Sequence, residues 1–125
     1  MAETALRIKV EGAKRLQEAL KDPKLLKGPI ADFLKKSMNY VIGSAMEKAP
    51  VDTGRLRASI PLSSEVRETE ATIGSNVVYA PYVEFGTKRM KAQPFLVPAL
   101  QGAKSAIDGF LKEAINKIEA FWERK

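Results

Sequence analysis

Apolar positions along the chain change their spacing several times, and each change marks an element. Leu6, Ile8 and Val10 alternate with Arg7, Lys9 and Glu11. A period of two is that of a strand with one buried face, and Gly12 ends it. From Ala13 to Leu20 the spacing lengthens, with Leu16 and Leu20 four apart, which predicts a short helix. Asp22-Pro23 and Gly28-Pro29 bracket a loop. Pro29 suits the first position of a helix. Ile30, Phe33, Leu34, Met38, Val41, Ile42 and Ala45 then recur at helical spacing, so a central helix is expected over about 29–48. Ala49-Pro50 stops it, because the residue before a proline avoids the helical region.

The second half reads less evenly. Leu56, Ala58 and Ile60 alternate like a strand, yet Leu56 and Ile60 are also four apart. The reading adopted is a helical turn capped by Asp52 or Thr53, leading into a strand through Ile60 and Leu62. Glu65 to Ile73 reads as a hairpin turning at Glu68-Thr69-Glu70, with Gly74-Ser75-Asn76 breaking the return strand. Val77 to Phe85 is apolar and aromatic but interrupted by Pro81, so one helical turn is expected there. Gly86 to Gln93 is a loop, expected to be loosely held. The last segment is a long amphipathic helix over about 95–123. Its apolar stripe runs through Leu96, Leu100, Ala103, Ile107, Phe110, Leu111, Ala114, Ile115, Ile118, Phe121 and Trp122. Ile107, Phe110, Leu111 and Ile118 are expected to be buried. The sum is an α+β fold: a small antiparallel sheet packed against the central helix and the long C-terminal helix.

Composition narrows the chemistry. The 125 residues make one domain, 1–125, with 45% hydrophobic residues, enough for a core without staples. Cysteine and histidine are both absent. That removes disulfides, thiolate nucleophiles and zinc–sulfur sites. It also removes the commonest general base and any Ser–His–Asp triad. No cofactor or metal is expected, and no enzymatic activity. No run approaches the ~20 apolar residues of a membrane span, and the opening residues lack a secretory apolar stretch, so folding in the cytoplasm is expected. A formal charge of +6 permits contact with nucleic acid or an acidic partner without requiring it.

Three motifs remain. Pro50-Val51-Asp52-Thr53-Gly54-Arg55 contains the aspartic-protease triplet. In that chemistry two carboxylates share a proton, whereas Arg55 and Arg57 beside Asp52 favour its ionised form. A structural turn through Pro50, Asp52, Thr53, Gly54 and Arg55 is the favoured reading, with a carboxylate hydrolase as the weak alternative. The second motif, Tyr79 to Thr87, is the densest aromatic stretch. The third is the basic run Lys88, Arg89 and Lys91. Tyr79, Tyr82, Glu84, Phe85, Gly86, Thr87, Lys88, Arg89, Lys91, Pro94 and Phe95 are the candidates for a subunit or partner interface, where aromatic residues are enriched. Glu84 lacks an acidic partner in sequence, which argues against a two-carboxylate mechanism.

Taken together, Ala49 to Ile60, Val77 to Thr87 and Ala92-Gln93-Pro94-Phe95-Leu96-Val97-Pro98-Ala99-Leu100 closely resemble the tail-component family of HK-type siphophages. These are neck or tail-completion proteins encoded between the head-closure and tail-tube genes. The resemblance extends in outline over nearly the whole chain. It implies a structural virion protein of the head–tail junction, a homo-oligomer assembled as a hexameric ring on the DNA path. It also implies contact with other neck and tail proteins, assembly in the host cytoplasm, and non-specific contact with packaged DNA. The alternative from a different class is a nucleic-acid-binding accessory protein of a mobile element.

Overall fold

A computed structural model describes residues 4–9, 28–50, 54–67 and 70–123. Its elements are β1 (Thr4–Lys9), α1 (Pro29–Lys48), α2 (Arg55–Leu62), β2 (Glu65–Arg67), β3 (Glu70–Ser75), α3 (Ala80–Phe85) and α4 (Leu96–Glu123). The architecture is α+β. Several expectations fall outside the described residues: Val10 and Gly12, the helix over 13–20, the Asp22-Pro23 loop, Asp52, Thr53, Glu68 and Thr69. So do the side chains of Phe121 and Trp122.

The sheet has the order β1-β3-β2, with both pairings antiparallel. Leu6 lies opposite Ile73 and Ile8 opposite Ala71. Ala71 and Ile73 are buried, and Leu6 and Ile8 pack against the same core. The period-two reading of β1 therefore holds over the described strand. The return strand does not break at Gly74-Ser75. It continues through Ser75, which pairs with Thr4. The polar end of β3 is kept in the sheet by α2. The hydroxyls of Ser59 and Ser75 lie 2.6 Å apart, and the Gly74 amide donates to Ser64 Oγ at 3.4 Å.

The segment after Gly54 is helical through Leu62, not a turn leading into a strand. Leu56, Ser59 and Ile60 are its buried face, at i, i+3 and i+4, while Ala58 is exposed. Ser59 explains the outcome. A strand beginning at Ile60 would take this hydroxyl from two partners, the Leu56 carbonyl at 2.6 Å and Ser75. Pro61, in the last turn, has no N–H to give the Arg57 carbonyl, so the helix loses that bond and ends one residue later, at Leu62.

α1 begins at Pro29 and ends where Ala49 turns extended before Pro50. Ile30, Phe33, Leu34, Ser37, Val41, Ile42 and Ala45 form its buried stripe. Its main packing partner is α4. Three cross-contacts fix their relation. Asp32 faces Lys117 at 3.8 Å, and Lys36 donates to Glu113 at 2.9 Å. Tyr40 meets Phe110 edge-on, with ring centroids 6.2 Å apart. Numbers rise along α1 as they fall along α4, so the helices run antiparallel, advancing one turn per contact.

The inner face of α4 carries the buried residues Leu96, Ala99, Ala103 and Ala114, with Leu100, Ile107, Phe110 and Ile118 partly buried against the core. Small residues at 99, 103 and 114 let neighbouring backbone approach closely. Leu111 departs from the expectation that it would be buried, being 40% exposed, and Ile115 is 44% exposed. Each lies one residue, about 100°, around the helix from Phe110 or Ala114. That places both beyond the stripe that α1 covers.

Candidate subunit-contact surface

The chain between α3 and α4 is organised by one carboxylate and one glycine. Gln93-Pro94-Phe95 precedes α4, so no Ser, Thr, Asp or Asn stands there to cap it. The first amides of the helix still need acceptors. Glu84, on α3 and 4% exposed, supplies them. Its Oε1 accepts from the Phe95 and Leu96 amides at 3.0 and 2.9 Å, and its Oε2 from the Val97 amide at 3.3 Å. A carboxylate at a helix N-terminus also meets the positive end of the helix dipole.

Gly86 turns the chain at φ 78°. A side chain there would meet backbone: a Cβ would lie 2.8 Å from the Ala92 nitrogen and 3.0 Å from the Met90 oxygen. The segment that follows is not loosely held. The Thr87 amide donates to the Met90 carbonyl at 2.8 Å, and the Gln93 amide to the Val83 carbonyl at 2.8 Å. Thr87 Oγ1 accepts from the Arg89 and Met90 amides at 3.2 and 2.9 Å. The hydroxyl thus closes a local turn, which a search for apolar periodicity does not register.

Above this frame lies an apolar surface. Val78, Tyr79, Tyr82 and Phe85 are exposed, Phe85 at 71%. Next to them is a groove of about 440 Å³. Pro50, Gly54, Arg55 and Leu56 contribute to it from the α1–α2 junction. Tyr79 and Val83 contribute from around α3, and Met90 and Gln93 from the turn. Two motifs more than twenty residues apart in sequence therefore share one groove. Lys88, Arg89 and Lys91 are exposed on either side of Met90.

The expected interface residues divide accordingly. Tyr79, Tyr82, Phe85, Lys88, Arg89, Lys91 and Pro94 are exposed. Gly86 and Thr87 shape the turn. Glu84 and Phe95 are corrected from the interface assignment: Glu84 is spent on the α4 amides, and Phe95 is fully buried in the core. Of the turn residues singled out from the sequence, Pro50, Gly54 and Arg55 reach the groove. Gly54 adopts the left-handed backbone, φ 77°, that its place before α2 requires. The residues that sequence reasoning missed are Leu56, Val83, Met90 and Gln93 in the groove wall. Only the capping role of Glu84 had a signal, a helix start with no capping residue of its own.

Among the described residues, no group of three or more carboxylates lies close enough to hold a metal ion. No helix there is long and apolar enough to cross a membrane. Comparison with family models matches residues 10–86 to the family described as "Bacteriophage HK97-gp10, putative tail-component". That is more than half of the chain, but less than the near-complete resemblance read from the sequence, because Ala92 to Leu100 and α4 lie beyond it. Neither curated proteins nor solved structures give a match.

Proposed function

Since this chain belongs to the bacteriophage HK97-gp10-like tail-component family, we propose that it acts in head–tail joining or tail completion, as one subunit of a ring on the DNA path. Family membership makes it a phage tail component, a protein of the virion whose partners are other tail proteins. The neck position and the ring are our reading. The observation that carries it is the exposed ridge of Val78, Tyr79, Tyr82 and Phe85 beside an apolar groove. Clustered exposed aromatics of this kind mark protein contact surfaces more often than free surface. A ring subunit needs two unlike patches, each meeting the other on the next copy.

The reading includes no catalysis. Glu84, the one buried carboxylate among the described residues, is engaged by three backbone amides at the start of α4. Among the described residues that line the groove, Arg55 is the only charged side chain and none is a carboxylate. Lys88, Arg89 and Lys91 suit electrostatic attraction to an acidic protein face or to the phosphates of DNA passing through the ring.

Complementation tests the role. Phages lacking this gene should accumulate separate heads and tails by electron microscopy, and a plasmid copy should restore joined particles. The variant with Lys88, Arg89 and Lys91 all changed to Glu should keep its melting temperature and fail to complement. Intact joining without the gene product would overturn the proposal. Binding to DNA that falls log-linearly with salt, from a protein absent from particles, would favour the accessory-protein alternative.

A further inference from the structure

Charge around the groove is segregated by sign. From Ala71 to Ile107 the chain holds one carboxylate, Glu84, and the cations Lys88, Arg89, Lys91 and Lys104. Glu84 is buried under the α4 amides, whereas all the cations are exposed. This stretch therefore shows only positive charge to solvent. Lys88, Arg89 and Lys91 stand within two residues of Met90, a groove wall, and none has an ion-pair partner among the described residues. The chain's own carboxylates offer no match. Asp32 and Glu113 pair with Lys117 and Lys36 across the two long helices. Glu65 pairs with Arg67, and Glu70 with Arg7. Glu47 is followed by Lys48, and on α4 Asp108 and Glu119 are interspersed with Lys104 and Lys112. No described face of a second copy thus presents clustered free acids, and the chain as a whole carries +6.

We propose that the groove receives a short acidic segment of a different tail protein. Its apolar side chains lie between Leu56, Tyr79, Val83 and Met90, and its carboxylates meet Lys88, Arg89 and Lys91. An apolar centre with a polar rim is how protein interfaces divide, and complementary charge at the rim sets partner choice and register. The cations stand on a turn already closed by its own hydrogen bonds, so little backbone ordering opposes the contact. Duplex DNA would satisfy the cations with its phosphates and leave the apolar walls without a partner. The inference names the partner of the contact surface, and it rests on the tail role proposed above but not on the ring.

Photo-crosslinking in assembled particles identifies the occupant. Met90→p-benzoylphenylalanine, introduced by amber suppression, puts the reactive group in the groove wall of the full-length chain. Phage lacking the gene would be complemented with this variant, and purified particles irradiated, digested and analysed by mass spectrometry. The expected adduct is a peptide of another tail protein in which Asp and Glu outnumber Lys and Arg. That peptide, synthesised with a fluorescent label, should bind the purified protein. Lys88→Glu, Arg89→Glu and Lys91→Glu together should weaken its Kd by about tenfold or more with the melting temperature unchanged. The same peptide with Lys in place of its acids should recover binding to the triple variant, which a purely structural role for the turn would not allow. If the position-90 variant yields no particles, Tyr82→p-benzoylphenylalanine replaces it, on the exposed ridge beside the groove. An adduct to a second copy, to DNA or to a peptide without acidic excess would overturn this occupant, as would particles that form with no adduct at all. The joining role survives each of those results. Intact joining without the gene product overturns that role instead, whatever the adduct.

Discussion

Removing the Glu84 carboxylate tests the frame beneath the contact surface. In Glu84→Ala the amides of Phe95, Leu96 and Val97 lose their acceptor. Phe95 and Leu96 are almost wholly buried, so water reaches those two amides poorly. An N-cap lost from an exposed helix costs about 0.5–2 kcal/mol. Each buried donor left unsatisfied adds about 1–3 kcal/mol. These terms overlap, and relaxation of the first turn relieves part of them, which gives about 3–5 kcal/mol in total. Glu84→Gln is the informative companion. Its carbonyl can still accept from Phe95 and Leu96, but its amide group would face the Val97 amide as a second donor. It should cost about 1–2 kcal/mol, the size of one charge-assisted bond. Urea unfolding followed by far-ultraviolet circular dichroism measures both, provided the m-values agree. Hydrogen exchange at Phe95 and Leu96 should speed up in the alanine variant. A cost below about 1 kcal/mol for Glu84→Ala, with unchanged exchange, would refute the capping argument.

Gly86→Ala should destabilise the protein by more than about 1 kcal/mol, since it combines a left-handed backbone with contacts to the Ala92 nitrogen and Met90 oxygen; a neutral result in chemical denaturation would contradict the geometry. Phe95→Ala should cost about 3–5 kcal/mol, whereas Leu111→Ala should cost under about 1 kcal/mol in a single subunit, and equal costs in the same assay would place Leu111 in the core after all. Glu113 accepts from Lys36 at 2.9 Å, and this hydrogen bond and charge, aided by Lys117, hold its carboxyl below the usual value of 4.5. A value lower in the folded than in the unfolded state stabilises the fold above pH 4.5, and the effect is lost as pH falls through the folded value; nuclear magnetic resonance titration should show the midpoint rising in Lys36→Met, and no rise would reject the pairing.

Much of the fold was legible because its signals are local. Pro29, the 3.6-residue stripe to Ala45 and Ala49-Pro50 delimit α1 without reference to anything else. Leu6 and Ile8 did the same for β1. The failures share a cause, dependence on a partner distant in sequence. Ser59 decides between helix and strand only once Ser75 stands beside it. Leu111 and Phe110 are equally apolar neighbours, and the position of α1 alone separates them. At the contact surface, the aromatic stretch was visible as composition. Its division was not: Tyr82 and Phe85 face outward while Glu84 faces the amides of α4. The groove itself was invisible, since it needs Pro50 and Met90 in one place.

The turn after Gly86 has a consequence for how such a surface changes over generations. Its hydrogen bonds run between backbone groups and the Thr87 hydroxyl, and none uses the side chain of Lys88, Arg89 or Lys91. Mutations at those three positions therefore leave the loop's own geometry untouched. Charge there can drift, reverse or follow a changing neighbour while Gly86 and Thr87 hold the shape constant. Fit to a partner and integrity of the subunit are in this way written in separate residues, and selection can act on one without taxing the other.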